Sequence, residues 1–320
     1  MKKIAIIAGG DSSEYKVSLK SAKGLMSFIP NDYEKYIVVI KGQSWYVLLP
    51  NGEKFHIYKN DFSFGKKEHK VHFDYAYITI HGTPGENGIL QGYFNLIGIP
   101  FSGCDVLASA MTFNKYVCNN FLKNFDISVP TSALLKENTT IDQNEIINKI
   151  GLPCFVKPTS GGSSFGITKV KSSDELTDAI NKAFNEYPEV MVEHFIEGIE
   201  VTCGMYKTKN KSVIFPVTEV VSKNEFFDYD AKYNNQSEEI TPARISDKLT
   251  EQIKQQTAKI YDLINAKGII RVDYIIEKSN KIVLLEVNTT PGMTEQSFIP
   301  QQIKAAKLNI HNVMRDIIEN

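Results

Sequence analysis

The sequence predicts an α/β protein of two or three domains, and three observations carry that expectation. The chain has 320 residues, too many for one small module and suited to two or three ordinary domains. Within the first hundred residues, short apolar runs alternate with helical spacing, the pattern of a mostly parallel sheet. Hydrophobic residues make up 42% and charged residues 23% of the chain. That is the composition of a globular chain with a sizeable core rather than a disordered one.

The elements follow in order. Ile4–Ala8 reads as a buried strand, and Gly9-Gly10-Asp11-Ser12-Ser13 as a turn whose Asp and Ser oxygens can cap a helix. Val17, Ala22, Leu25, Met26 and Ile29 then recur at helical spacing until Pro30 and Asn31 stop them. Tyr36–Ile40 and Tyr75–Ile80 are further strands, with Trp45–Leu49 and Phe55–Tyr58 as an inserted hairpin. Val106 to Phe125 reads as one long helical stretch, Glu145–Ile150 as a short helix and Cys154–Lys157 as a strand. A Gly/Ser loop, Gly161 to Gly166, precedes a strand at Ile167–Val170. Ser172 and Glu175 have capping-box spacing ahead of a helix reaching Tyr187. Strands at Val190–Glu193, Glu200–Tyr206 and Val213–Val221 come next. The polar, aromatic stretch Lys223–Glu239 is long for a plain connection, and such loops are usually lids or binding loops, or else disordered. A helix over Leu249–Lys267, strands at Ile269–Ile276 and Ile282–Asn288, and two short helices close the chain.

Composition excludes several function classes. Lys and Arg total 36 against 37 Asp and Glu, a net charge of −1. A nucleic-acid binder or a polybasic membrane binder would carry a basic excess. Neither nucleic acid nor membrane is therefore an expected partner, although a local basic pocket for a small anion remains compatible. Cys104, Cys118, Cys154 and Cys203 form no Cys-x-x-Cys pair and no zinc spacing with histidine, so reduced, buried thiols are expected. The apolar run after Met-Lys-Lys is too short for a signal peptide, and no stretch approaches the ~20 apolar residues of a membrane span. A cytoplasmic location is the expectation.

Three constellations carry chemistry. The first is the pair of C-terminal strands. Side chains two apart on a strand share a face, so Arg271 groups with Asp273 and Glu286 with Asn288. A two-residue turn at Ser279-Asn280 sets Asp273 opposite Glu286 and Arg271 opposite Asn288. Opposed carboxylates among Ile, Val and Leu destabilise a sheet unless a cation lies between them. Oxygen-only donors suit magnesium held in part by a substrate phosphate. The alternative is a solvated polar face closed by an Arg–Asp pair.

The second constellation is Phe155-Val156-Lys157-Pro158-Thr159-Ser160 followed by Gly161-Gly162-Ser163-Ser164-Phe165-Gly166: a strand delivering a lysine, then small residues whose N–H groups and hydroxyls can meet phosphate. It is not a Walker A loop, where the lysine follows the glycines. Lys115 is a second candidate phosphate cation, or else a solvated helix charge. The third is Val192 to Glu200, where Glu193 could bind a base and Glu200 a ribose; two exposed carboxylates are the alternative.

The ordered set VKP at 156–158, GGSSFG at 161–166, VEHF at 192–195, GIE at 198–200, FFDYDAKY at 226–233, RVDY at 271–274 and LLEVNTTPGMT at 284–294 resembles the ATP-grasp ligases. Within them it is similar to the D-alanine–D-alanine ligase family, and the match extends to AGGDSSEYKVS at 8–18 and HGTPGENG at 81–88. The resemblance implies a three-domain α/β (α+β) chain with an ATP-grasp fold and an N-terminal, Rossmann-like parallel-sheet domain. The expected divisions are 1–103 for substrate binding, 104–189 for the central domain with the phosphate loop, and 190–320 for the C-terminal domain with the metal site and a lid at 223–239.

The resemblance also implies roles. Lys115 and Lys157 match the phosphate-holding lysines, Glu193 an adenine contact, Glu200 the ribose contact and Lys232 a lid residue reaching the phosphate. Asp273, Glu286 and Asn288 match ligands of two magnesium ions, with manganese as a substitute. Arg271 and the N–H of Gly292 match oxyanion donors, a kind of group that contributes ~3 kcal/mol each to barrier lowering. Glu14 matches the residue that binds the ammonium of the first D-alanine, Ser163 and Tyr233 its partners in a triad latching the lid, Ser297 the residue for the second carboxylate, and His81 a histidine at the substrate site. The implied reaction joins two D-alanines through an acyl phosphate for peptidoglycan precursor synthesis, in a protein expected to be a homodimer.

The departures from the family pattern are Ser160-Gly161 where a charged residue is frequent, Asn114 where Asp is frequent, Phe298 where a smaller aliphatic is usual, and a longer segment around Trp45–Phe64. Tyr233 favours a dipeptide product. The alternatives are a ligase joining D-alanine to D-lactate or D-serine, and a non-catalytic nucleotide-binding protein on the same scaffold.

Overall fold

The computed structural model describes residues 1–66, 68–162, 166–222 and 237–320. The first region holds β1 (Lys3–Gly9), α1 (Tyr15–Phe28), β2 (Glu34–Lys41), β3 (Ser44–Leu48), β4 (Lys54–His56), β5 (Phe64–Lys66), β6 (His69–Val71), β7 (Tyr75–Ile78) and α2 (Ile89–Ile97). Its sheet runs β4-β3-β2-β1-β7. β1 pairs in parallel with β2 and β7, and the hairpin β3–β4 extends the sheet antiparallel from β2. The segment behind this hairpin faces inward: Trp45, Phe62, Phe64, Phe73 and Phe94 form one aromatic cluster against the sheet.

The helical stretch expected from Val106 to Phe125 is two helices, α3 (Val106–Phe113) and α4 (Lys115–Lys123). Asn114 leaves helical conformation at ψ 101° and caps α4, its side chain accepting from Val117 N. Lys115 N donates instead to Thr159 O at 2.8 Å. The break sets Lys115 at the head of a helix beside the Gly/Ser loop.

The central sheet is antiparallel, in the order β10 (Thr168–Val170), β9 (Cys154–Pro158), β11 (Glu189–His194), β8 (Ser132–Lys136). The helices α5 (Gln143–Ile150) and α6 (Leu176–Phe184) cover it, burying Ile146, Ile150, Leu176 and Ile180 against Val156 and Val192. Because β11 pairs with β8 and β9, a division at 189/190 would cut it from its partners. α3 and α4 share a core with the C-terminal sheet through Ala108, Cys118 and Leu122.

That third sheet orders β15 (Ser237–Ile240), β14 (Thr218–Ser222), β12 (Gly198–Lys207), β16 (Ile270–Glu277) and β17 (Ile282–Asn288), with β13 (Ser212–Ile214) on β12. The single strand expected at Val213–Val221 is divided between β13 and β14 because Pro216, lying between them, has no N–H for a ladder. α7 (Asp247–Leu263) packs on this sheet, and α8 (Phe298–Ala305) and α9 (Ile310–Glu319) share a core with α1 and β1. No helix among the described residues is long and apolar enough to cross a membrane.

Candidate active site

A cleft of about 980 Å³ lies between the central and C-terminal sheets and is walled on the N-terminal side by Glu14, α1 and the turn that holds His81 and Glu86. Every described candidate lines it: Glu14, His81, Lys115, Lys157, Glu193, Glu200, Arg271, Asp273, Glu286, Asn288, Gly292 and Ser297. Ser163, Lys232 and Tyr233 lie outside the described residues, as does most of the 223–239 stretch.

The floor is the β16–β17 pair. Asp273 stands opposite Glu286, and Arg271 opposite Asn288. The turn is not the two-residue one expected: Ile276 pairs with Ile282, and Asn280 adopts a positive φ of 65°. A bulge beyond Asp273 then leaves Leu285 unpaired and restores the register at the site. Arg271 holds Asp273 with Nη2 to Oδ2 at 2.8 Å and Nε to Oδ1 at 2.9 Å. Thr202 Oγ1 donates to the same Oδ1 at 2.6 Å. Lys115 Nζ sits 3.4 Å from Glu286 Oε2 and donates to Gly161 O at 2.8 Å, bridging β17 and the Gly/Ser loop.

On the central sheet, Lys157 Nζ meets Glu193 Oε1 at 2.5 Å, and both side chains are buried. The other oxygen, Glu193 Oε2, is buried with no hydrogen-bond partner among the described residues. A buried acceptor left open costs free energy unless a ligand donor completes it, which fits an exocyclic amino group of a purine. Glu200 lies on β12 in the same cleft.

The N-terminal wall supplies Glu14 and His81. A Cβ at Gly162 would stand 2.3 Å from Glu14 Oε2, so this carboxylate abuts the phosphate loop where only a glycine leaves room. His81 is buried; Ser12 Oγ donates to its carbonyl at 2.7 Å, and Ser21 Oγ lies 3.5 Å from Nε2. Burial lowers the His81 pKa, the Arg271 charge adds to that, and the Glu14 charge opposes it, so a neutral imidazole is favoured. At the far end, Ser297 Oγ lies 2.8 Å from Thr294 Oγ1, and the Phe298 ring lies 5.3 Å from the Arg271 guanidinium carbon.

Two carboxylates in the cleft were missed in the sequence. Glu86 Oε2 accepts from Gly82 N at 2.7 Å, and its carboxyl is pushed up to about 8 by burial and then by the Glu14 charge. Its only signal was its place within HGTPGENG. Glu239 Oε2 accepts from Gln301 Nε2 at 2.5 Å, and burial raises its pKa. Nothing in its local sequence separates it from Glu238.

No group of three or more His, Cys, Asp or Glu side chains among the described residues is arranged to hold a metal. Two carboxylates and one amide oxygen are an incomplete, oxygen-only donor set of the kind that suits a hard cation.

A family model described as D-ala D-ala ligase N-terminus matches residues 3–104, and one described as D-ala D-ala ligase C-terminus matches residues 121–319. A D-alanine–D-alanine ligase from Phocaeicola vulgatus is 60% identical over 318 residues, covering 99% of this chain and 98% of the relative. Among solved structures, the VanG D-Ala:D-Ser ligase from Enterococcus faecalis matches with a TM-score of 0.87 at 32% identity, covering 99% of this chain and 98% of that one. A D-alanine–D-alanine ligase from Bacillus anthracis complexed with ATP matches at 0.80 and 26% identity, covering 100% and 97%. With both family models in sequence order and a majority-identical relative along its whole length, the chain belongs to the D-alanine–D-alanine ligase family.

Proposed function

We infer that the chain joins two D-alanines into D-alanyl-D-alanine, converting ATP to ADP and phosphate, for peptidoglycan precursor synthesis. The observation that carries the reading is the one cleft in which Lys115, Lys157, Arg271 and the opposed Asp273 and Glu286 meet. A D-alanine–D-lactate or D-alanine–D-serine product is not favoured, since the majority-identical relative is named for the dipeptide.

The chemistry has two steps. The carboxylate of the first D-alanine attacks the γ-phosphorus of ATP, and ADP leaves, giving an acyl phosphate. The amine of the second D-alanine attacks the acyl carbon, loses a proton, and phosphate leaves. In this reading Glu14 holds the first ammonium, a role that needs a carboxylate. Lys115 and Lys157 neutralise the phosphates, Glu193 Oε2 accepts from the adenine amino group, and Glu200 accepts from the ribose. Asp273, Glu286 and Asn288 would hold two magnesium ions, or manganese in their place, which would supply charge neutralisation for the phosphoryl group. Arg271 and the Gly292 N–H stabilise the oxyanion of the second step, Ser297 binds the second carboxylate, and neutral His81 lines the same cleft. Ser163, Tyr233 and Lys232 are assigned the lid latch and a phosphate contact by resemblance alone.

A cytoplasmic homodimer is part of the same proposal. It is supported by Ile89 and Leu96 on α2 and Leu107 on α3, large apolar side chains left exposed on neighbouring helices. Light scattering on the purified chain tests it, and a monomer at micromolar concentration removes it.

The deciding experiment is phosphate release from ATP and magnesium with D-alanine alone, then with D-lactate or D-serine added, with products read by mass. Release with D-alanine alone and a dipeptide product is the expected result. Release that requires the second compound would move the product assignment. No release with any of them would leave a nucleotide-binding protein.

A further inference from the structure

The acceptor D-alanine enters as a zwitterion. Its carboxylate is assigned to Ser297, but nothing so far receives its ammonium, and a cation in a closed cleft needs a counter-charge. Most cleft carboxylates are already engaged. Asp273 is held by Arg271, Glu193 by Lys157, and Glu286 sits beside Lys115. Glu14 lies against Gly162 at the first-substrate end.

Of the other lining carboxylates, Glu197 pairs with Lys278 at 3.0 Å, Glu200 is assigned to the ribose and Glu295 is exposed. Glu86 and Glu239 remain, and their surroundings separate them. The charges nearest Glu86 are Glu14, Lys115 and Glu286, which places it toward the phosphates and the first substrate. Glu239 has Arg271 as its charged neighbour. Its Oε2 accepts from Gln301 Nε2 at 2.5 Å. Gln301 lies in the first turn of α8, its backbone N donating to Ser297 O at 3.2 Å. Glu239 is thus tied one helical turn from the residue assigned to the acceptor carboxylate, and beside the arginine assigned to the oxyanion. The bond to Gln301 occupies Oε2, and among the described residues no hydrogen bond engages Oε1, which the proposal gives to the ligand.

We propose that the Glu239 carboxylate binds the α-ammonium of the acceptor D-alanine and so selects an amino acid over a hydroxy acid. The inference rests on the dipeptide reading above. D-Lactate presents a neutral hydroxyl at the same place and gains nothing from the charge. Gln301 orients the carboxylate, so the first turn of α8 links Glu239 on β15 to Ser297 at the helix N-cap.

The test compares the full-length wild type with Glu239→Gln, which keeps the shape and a hydrogen bond to Gln301 but removes the charge. The KM for the acceptor D-alanine is expected to rise at least about tenfold, the scale of one lost charge-assisted hydrogen bond. The KM values for the first D-alanine and for ATP should stay within about twofold. In competition, the share of D-alanyl-D-lactate among the products should rise by a similar factor. Glu239→Asp, which keeps the charge, should retain the preference for the amino acid. Gln301→Leu should have a smaller effect than Glu239→Gln. An unchanged acceptor KM and product ratio in Glu239→Gln would overturn the proposal. So would a common rise in all three KM values, or a Gln301→Leu variant that reproduces the whole effect, because the carboxylate would then act only through the helix. A wild type that makes no dipeptide would instead overturn the reading beneath it.

Discussion

Arg271 and Asp273 form a two-point ion pair at the floor of the cleft, with Nη2–Oδ2 at 2.8 Å and Nε–Oδ1 at 2.9 Å. Burial works against the guanidinium charge, and the Asp273 carboxylate more than offsets it, so the arginine pKa is raised. Asp273→Asn leaves a largely buried guanidinium without its counter-charge. Breaking such a pair from one side costs about 3–5 kcal/mol. Urea unfolding should show a loss of that order, and phosphate release should fall at least ~100-fold as the arginine loses its fixed aim. A variant with near wild-type stability and turnover would show that Arg271 needs no anchor.

Much of this floor was legible in the sequence, for a specific reason. The alternation of strand side chains put Arg271 with Asp273 and Glu286 with Asn288, and facing apolar residues fixed which side was buried. The expected pairing is the observed one although the turn is one residue longer than expected, because the bulge at Leu285 takes that residue back. The helix break at Asn114 was not legible, because it depends on Thr159 O, 45 positions away, accepting from Lys115 N. The pairing of β11 with β8 and β9 is likewise a long-range choice that local pattern does not encode. Glu86 and Glu239 went unseen because a carboxylate's burial comes from elements distant in sequence. The family resemblance supplied the roles of Ser297 and Gly292, which no spacing argument reaches.

Glu286 makes the second test of the floor. It stands opposite Asp273 and 3.4 Å from Lys115 Nζ. It is partly exposed, so Glu286→Gln should change stability by less than about 1 kcal/mol. Turnover should nevertheless fall by two or more orders of magnitude if the carboxylate holds a metal. Circular dichroism melting and phosphate release together decide the matter. Near-normal turnover would remove Glu286 from the metal set.

Glu86 predicts a pH effect of definite sign. Its carboxyl is raised from 4.5 to about 8, by burial first and the Glu14 charge second, against the opposing pull of the Gly82 N–H and Lys115. Between those two values the folded protein keeps a proton that the unfolded chain releases. Stability attributable to this group is therefore fully present below about pH 4.5 and is lost as pH rises toward 8. The loss is of the order of a few kcal/mol. Urea midpoints of the metal-free, nucleotide-free protein at mildly acidic and mildly alkaline pH measure it. Glu86→Gln carries no ionisable proton and should flatten the alkaline decline. Equal declines in wild type and variant would place the titration elsewhere.

Gly24 ties the N-terminal helix to the loop that carries Gly292, the proposed oxyanion donor. A Cβ at Gly24 would stand 2.3 Å from the Met293 carbonyl oxygen, and Met293 N donates to Ser21 Oγ at 3.4 Å. Gly24→Ala must therefore push the 291–293 backbone away from α1. Overpacking of this kind costs typically 1–3 kcal/mol. It also moves the Gly292 N–H, and a displacement of ~1 Å at a reacting centre can cost ~100-fold in rate. The variant should lose both stability and kcat, with the KM for ATP little changed because the Lys157 and Glu193 side is untouched. Gly92→Ala is the control: it lies within α2, and its Cβ would meet only Val106 Cγ2, at 3.8 Å. That substitution should be neutral or stabilising by up to ~1 kcal/mol, since alanine is the better helix former. If Gly24→Ala behaved like Gly92→Ala in both measurements, α1 would not be what holds the 291–293 loop in place.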